Sequence, residues 1–313
     1  MKDKFTIIFM GTPDFAVPSL HLLSQKGYDV ALVVTQPDRP KGRGRKLIPP
    51  PVKVKALELN LEVTQPSTLK SKEFTDQIKR IQTDFLVVVA FGHILSEKIL
   101  QLPKFGAINI HASLLPEYRG PAPIQWAIIN GDSQTGITTM FMDKGMDTGN
   151  VLLTEKEPIL PEDTAATLHD RLANSGADLL IRTLKDYAAH KLKPIVQDHS
   201  KATYAPLLKK QDGHIDWQRP AEELEPFIRG MTPWPGAFTF HNETRLKIFK
   251  AAPIPENISE AAGTILKAFP DELRVATGRG ALSILEIQGP AGKRLDVADF
   301  LRGYPLPPGS ILT

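Results

Sequence analysis

The chain has 313 residues, enough for one large domain or two ordinary ones, and its 42% apolar and 23% charged content fits a globular protein rather than a disordered or fibrous one. It contains no cysteine, which excludes a disulfide scaffold, a thiolate metal site and a cysteine nucleophile. The net charge is +3, yet residues 37–55 carry seven Lys and Arg against Asp38 alone, so the positive charge is local; such a segment is either a solvated loop or a surface for a polyanion such as nucleic acid.

In chain order, residues 5–10 predict a first strand, the apolar run being too short for the core of a signal peptide. A helix follows near 16–25, and a strand over 29–35. Residues 52–59 read as helix, 62–64 as a short strand and 72–81 as helix. DFLVVVAF, at 84–91, is a continuous apolar run that suits a strand buried on both faces. Another strand ends at 108–111. Strands alternating with helices predict a doubly wound, mostly parallel α/β sheet with helices on both faces. Two further strands are expected at 136–142 and 151–158, then a long amphipathic helix over 164–190, with Leu168, Leu172, Leu179, Leu180 and Leu184 near helical spacing.

Periodicity is lost after residue 190, which divides the chain into a first domain over 1–190, a linker over 191–208 and a second domain over 209–313. The second domain opens with a helix at 221–230. Short strands follow at 237–240, 246–250, 264–268, 273–276 and 281–287, with turns at His241-Asn242-Glu243-Thr244 and Gly278-Arg279-Gly280. That spacing predicts a small OB-like β-barrel. No stretch approaches the roughly 18 apolar residues of a membrane span. A cytoplasmic monomer is the expected state.

Ligands in open α/β sheets bind beyond the carboxyl ends of the strands. Gly11-Thr12-Pro13-Asp14-Phe15, Phe91-Gly92-His93 and Asn109-Ile110-His111 all fall there. Residues i and i+2 of a strand face the same side, so Asn109 and His111 are expected to project together. Downstream, GITTMFMDKGMDTGNVL places Asp143, Gly145, Asp147 and Gly149 after a strand. Asp147 is then a candidate to orient the imidazole of His111. An amide, an imidazole and a carboxylate without a Ser or Cys nucleophile suggest direct acyl transfer to a bound amine. A lone Asn-x-His can equally be a hydrogen-bonded structural pair, and a lone Asp-x-Gly a turn. No HExxH or clustered His/Asp set supports a metal, and GTPDFA lacks the GxGxxG dinucleotide fingerprint.

NIHASLLPEYRGPAPIQWAI together with GITTMFMDKGMDTGNVL resembles the signature of the 10-formyltetrahydrofolate-dependent formyltransferases. GTPDFAVPSL, TQPDRPKGRGRKLIPPPVK, ATYAPLL and PWPGAF extend the resemblance over essentially the whole chain. It implies a Rossmann-like catalytic domain with the trio Asn109, His111 and Asp147, and 10-formyltetrahydrofolate as a consumed formyl donor with no metal. It implies a folate pocket at Phe91, Gly92, His93 and Leu95, walled by Ser113, Leu114, Leu115 and Pro116. It also implies initiator methionyl-tRNA as acceptor, with Arg39, Lys41, Arg43, Arg45 and Lys46 of the basic insertion meeting its acceptor end. The family's second domain usually offers tRNA a basic face, whereas residues 209–313 here hold 13 Lys and Arg and 13 Asp and Glu.

Sugar-nucleotide formyltransferases share the trio, but the basic insertion and the GTPDFAVPSL opening argue against them. The second domain argues against a glycinamide ribonucleotide formyltransferase. A formyltetrahydrofolate hydrolase and a non-catalytic RNA-binding protein complete the alternatives, and the intact trio argues against the latter.

Overall fold

The computed structural model describes residues 4–41, 44, 46–290 and 292–313. It divides into two compact units, the first made of Met1–Gly120, Thr135–Pro158 and His169–Ala205, the second of Pro121–Gln134, Ile159–Leu168 and Pro206–Thr313.

In the first unit, the strands are β1 (Thr6–Gly11), β2 (Asp29–Val34), the short β3 (Arg39–Lys41) and β4 (Lys46–Ile48), β5 (Val63–Thr64), β6 (Phe85–Val89), β7 (Ala107–His111), β8 (Gln134–Phe141) and β9 (Val151–Pro158). The helices that precede or join them are α1 (Val17–Gln25), α2 (Pro51–Glu58), α3 (Lys72–Ile81), α4 (Glu97–Leu100) and α6 (Ala165–Ala188), while α5 (Pro123–Ile129), between β7 and β8 in sequence, belongs to the second unit. Seven strands form one sheet in the order β5-β2-β1-β6-β7-β8-β9. β5, β2, β1, β6 and β7 are parallel, and β8 runs antiparallel to β7. The chain steps outward from β1 to β2 and β5, then returns to β6 on the other side of β1. That reversal opens a crevice at the carboxyl ends of β1 and β6.

Both sheet faces are covered, which is why β6 is apolar at every position. Ile8, Met10, Leu32, Val34, Leu86 and Val88 pack with Phe74 and Ile78 of α3 and with Ile99 and Leu100 of α4. The opposite face carries Phe85, whose ring meets Phe5, Phe105 and Tyr187 of α6 at centroid distances of 4.9, 5.5 and 5.1 Å. β3 and β4 pair as a separate antiparallel ribbon. The basic insertion expected as a loop therefore contains a hairpin, which its Pro- and Gly-rich composition hides. Residues 191–205, aperiodic in sequence, are bonded to the first unit. Val151 and Ile195 exchange backbone hydrogen bonds, and Arg119 N–H donates to Thr203 O.

In the second unit, α7 (Ala221–Met231) packs against α5 and leads into an antiparallel sheet. Its strands are β10 (Ala237–His241), β11 (Thr244–Ile254), β12 (Ile265–Ala268), β13 (Leu273–Ala276), β14 (Ala281–Gln288) and β15 (Arg294–Asp296), and α8 (Val297–Gly303) follows. The strand order is β10-β11-β14-β13-β12, with β15 on β14. The last residues curl the sheet closed. Phe240 and Thr313 exchange backbone hydrogen bonds at the β10 edge, while Ile265 N–H donates to Ser310 O beside β12. Leu246, Ile248, Leu273, Val275, Leu282 and Ile284 fill the interior with Leu224 and Ile228 of α7. The expected small β-structured domain forms as a curled antiparallel half-barrel, and β15 and α8 add to it beyond the elements read from sequence.

Phe85 is fully buried at the centre of its aromatic cluster. Phe85→Ala should lower unfolding stability by about 3–5 kcal/mol, read as a reduced urea midpoint at unchanged slope.

Candidate active site

Register places the candidate residues on one sheet face. Asn109 stands between Val88 of β6 and Met140 of β8, and His111 faces Thr138. Asn109 and His111 therefore share the face that carries Val88, as the i, i+2 spacing requires. The Asn109 side chain is half-buried and bonds to no other described residue. His111 is buried, and its Nε2 lies 2.9 Å from Tyr118 O. A carbonyl only accepts, so Nε2 carries a proton and Nδ1 is the edge left free.

Asp147 reaches that free edge by an indirect route. Because β8 is antiparallel, it ends beside the start of β7, where Met142 N–H donates to Ala107 O. The 143–150 loop thus begins at the wrong end of β7 and folds back. Asp143 Oδ1 accepts from Gly145 N–H at 2.9 Å and from Thr148 Oγ1 at 2.6 Å, which tightens the turn. Asp147 then adopts φ +55°, and its Oδ2 lies 3.7 Å from His111 Nδ1 while accepting from Gly120 N–H at 2.8 Å. A separation of 3.7 Å is electrostatic contact rather than a hydrogen bond. The ring is oriented mainly by Tyr118 O, and Asp147 supplies charge beside it. A side chain at Gly149 would place Cβ 1.7 Å from Phe141 O, so only glycine closes this loop.

Between the loop and the segment after β6 lies a cavity of about 210 Å³, lined by His93, Ile94, Leu95, Met140, Met142 and residues 143–148. Phe91, two residues before His93, is buried, with its carbonyl accepting from Thr12 Oγ1 at 3.0 Å and Gln36 Nε2 at 2.9 Å. These bonds tie the carboxyl ends of β1, β2 and β6 together. Gly92 turns at φ +77°, His93 is exposed and Leu95 is buried. Of the expected folate residues, His93 and Leu95 line this cavity. The 113–116 bend lies off its lining. Ser113 is fully buried, its Oγ donating to Glu117 O at 2.6 Å and its carbonyl accepting from Thr138 Oγ1 at 2.7 Å. Leu115 N–H donates to the same Thr138 hydroxyl at 3.2 Å, Leu114 packs over Gly136, and the Leu115–Pro116 peptide is cis.

Sequence reasoning passed over Arg119, Gln197 and His199, which are linked to one another and to the Asp147 loop. Nothing in the composition of 191–208 marks Gln197, and a lone arginine in PEYRG carries no spacing signal.

On the basic ribbon, Arg39 and Lys46 are exposed and belong to opposite strands. Arg43 and Arg45 lie outside the described residues, as does the side chain of Lys41. The ribbon's base is anchored by Asp38, which accepts from Lys53 Nζ at 2.8 Å and Gln65 Nε2 at 2.7 Å. The hydrogen bond from Lys53, then that from Gln65, holds this carboxyl below its ordinary range. Such a depressed carboxylate contributes fully above its unfolded pKa of about 3.9 and loses its contribution as pH falls through the lower folded value. The anchor is therefore complete at neutral pH. Among the described residues no group of three or more His, Asp or Glu is placed to hold a metal, and no helix is long and apolar enough to cross a membrane.

A mostly parallel sheet with this polar face at its centre, followed by a curled antiparallel unit, is the architecture of a formyl-transferring enzyme. The chain belongs to the formyl transferase family, whose model matches residues 3–184 and whose C-terminal-domain model matches residues 207–305. It is 50% identical over 307 residues to the methionyl-tRNA formyltransferase of Caldanaerobacter subterraneus subsp. tengcongensis, covering 98% of this chain and 99% of that one. It is 47% identical to the enzyme of the same name from Syntrophus aciditrophicus, covering 99% of each. In fold it matches an N-formyltransferase from Helicobacter canadensis, solved with folinic acid and dTDP-3-aminofucose, at a TM-score of 0.68 and 19% identity, over 93% of this chain and 99% of that one.

Gly149→Ala should destabilise the protein by about 1–3 kcal/mol through this backbone collision. A lowered melting temperature checks it.

Proposed function

We propose that the protein transfers a formyl group from 10-formyltetrahydrofolate to the α-amino group of initiator methionyl-tRNA, with Asn109, His111 and Asp147 as the reacting centre. The observation that carries the reading is the return of Asp147 to the free edge of His111 beside an Asn109 amide that has no partner among the described residues. Full-length identity of 47–50% to methionyl-tRNA formyltransferases supports this acceptor over an amino-sugar or water.

The cavity suits the folate's bicyclic head. Leu95, Met140 and Met142 offer apolar faces, and the 143–148 backbone offers hydrogen-bonding edges. The folate supplies the formyl carbon when bound. Asn109 donates from its amide toward the negative charge that develops on the formyl oxygen, and preorganised donors of this kind are worth on the order of 10²–10³ in rate each. His111 turns its Nδ1 edge to the same centre, with Nε2–H held by Tyr118 O. The Asp147 carboxylate beside Nδ1 takes the proton that the attacking amine releases, and as the formyl C–N bond to the folate breaks, the folate nitrogen leaves carrying a proton. A free α-amino group has a pKa of about 7.7–8.0, so an uncharged fraction is present near neutrality and no strong base is needed for attack.

For tRNA, we assign the exposed Arg39 and Lys46, with Lys41, Arg43 and Arg45, to phosphates of the acceptor end. The domain division at residues 190 and 209 follows this assignment, with transfer in the first part and tRNA docking in the barrel. Support for the barrel comes from the outer face of β10 and β11. Lys247 pairs with Phe238 and Arg245 with Phe240. The Arg245 guanidinium lies 3.6 Å over the Phe238 ring, and the exposed His214 stacks on the same ring. Cations set on aromatic rings suit a nucleic-acid strand even where the net charge is zero.

His111→Ala and Asp147→Asn should nearly abolish formylation while tRNA binding persists. Asn109→Ala should cost about 10²–10³ in kcat. Near-normal turnover in any of the three would contradict the assigned centre. Separately, Arg39→Gln with Lys46→Gln should weaken tRNA binding and flatten its dependence on salt, by about one unit of log–log slope for each phosphate no longer neutralised.

A further inference from the structure

The loop that carries Asp147 is held by a chain of hydrogen bonds ending on a buried charge. Gln197 donates from its amide nitrogen to two carbonyls, Asp147 O at 2.9 Å and Gly149 O at 2.7 Å. Its amide oxygen accepts from Arg119 Nε at 3.2 Å and Nη2 at 2.6 Å. Nη2 also lies 2.9 Å from His199 Nδ1, which is the acceptor of that pair. Arg119 and Gln197 are both buried, at 2% and 5% exposure, and no carboxylate of a described residue pairs with the guanidinium.

A guanidinium has donors only. The amide oxygen of Gln197 must therefore face Arg119, and its nitrogen must face the loop, so the amide cannot turn over. Its two bonds land on either side of Thr148, on the backbone rather than on the core. They hold Asp147 from behind while Gly120 N–H holds its carboxylate from the front. Asp147 needs this hold. A left-handed backbone is uncommon for a residue with a side chain and persists where its surroundings fix it.

We propose that Gln197, locked by Arg119, is a positioning residue for formyl transfer: it fixes the left-handed Asp147 backbone so that the carboxylate meets His111. The inference rests on the transfer reading above. It assigns a role in the reaction to a residue of the segment that joins the two family-matched regions, outside both of the matched spans.

Gln197→Glu is the direct test. It keeps the side chain's shape and its contact with Arg119, but sets a carboxylate oxygen against two carbonyls. Displacing a reacting group by about 1 Å can cost on the order of 10²-fold, and a loss of that order is expected in kcat, with little change in KM for the folate or the tRNA. Where that variant does not fold by circular dichroism, Gln197→Met removes the donor without adding a repulsive oxygen and carries the same expectation. The change is then repeated in an Asp147→Ala background. A residue acting through Asp147 should cost nothing further there. Undiminished kcat in a folded Gln197 variant would overturn the proposal, and so would an equal loss in both backgrounds. Wild-type protein that transfers no formyl group to methionyl-tRNA would instead remove the reading beneath it.

Discussion

The antiparallel pairing of β8 with β7 is the constraint on which the site depends. It sends the chain out at the start of β7, one strand length from His111. Everything that follows compensates for that exit. Asp143 tightens the turn, Gly149 permits the close pass over Phe141, and Asp147 adopts a left-handed backbone to aim its carboxylate. The fold-back also creates the cavity, because the loop passes over the sheet opposite the segment after β6. Pocket and polar centre are thus two results of one strand direction.

Rigidity in the centre comes from buried polar groups, each with a defined partner. Thr138 fixes the 113–116 bend to β8 with one hydroxyl, and Tyr118 O fixes the imidazole. Arg119 is the expensive member, since a buried guanidinium loses its hydration and here recovers hydrogen bonds only from a neutral amide and an imidazole. Keeping that charge is consistent with a function that needs the loop in one place. The barrel uses a different device, closing its two sheet edges with the last four residues of the chain. Both edges of that sheet thus gain backbone partners, which exposed edge strands lack.

Much of this was legible in the sequence, for identifiable reasons. The continuous apolar run at 84–91 revealed a central strand because both its faces are buried, and the i, i+2 spacing placed Asn109 and His111 on one face because strand geometry allows nothing else. The glycines of DKGMDTGN marked a tight loop, but not its reversal along β7, since strand direction leaves no mark in a residue pattern. The β3–β4 ribbon was hidden by composition, its register being set by backbone pairing rather than by alternating apolar residues. Gln197 and Arg119 were invisible because a long-range pairing of two side chains, 78 residues apart in sequence, has no periodicity. The resemblance, rather than any residue pattern, implies that the 113–116 bend walls the folate pocket; its Ser113 hydroxyl, Leu114 side chain and Leu115 N–H make the internal contacts that hold the bend in shape.

The reaction proposed for this centre is formylation of the amine of initiator methionyl-tRNA. The most direct measurement incubates the purified protein with 10-formyltetrahydrofolate and charged initiator tRNA and assays N-formylmethionine, beside parallel reactions with elongator methionyl-tRNA and a UDP-amino-sugar. Formylation of the initiator, with little in the other two, is the predicted result. Transfer to the sugar alone, or release of formate with no acceptor formylated, would contradict it.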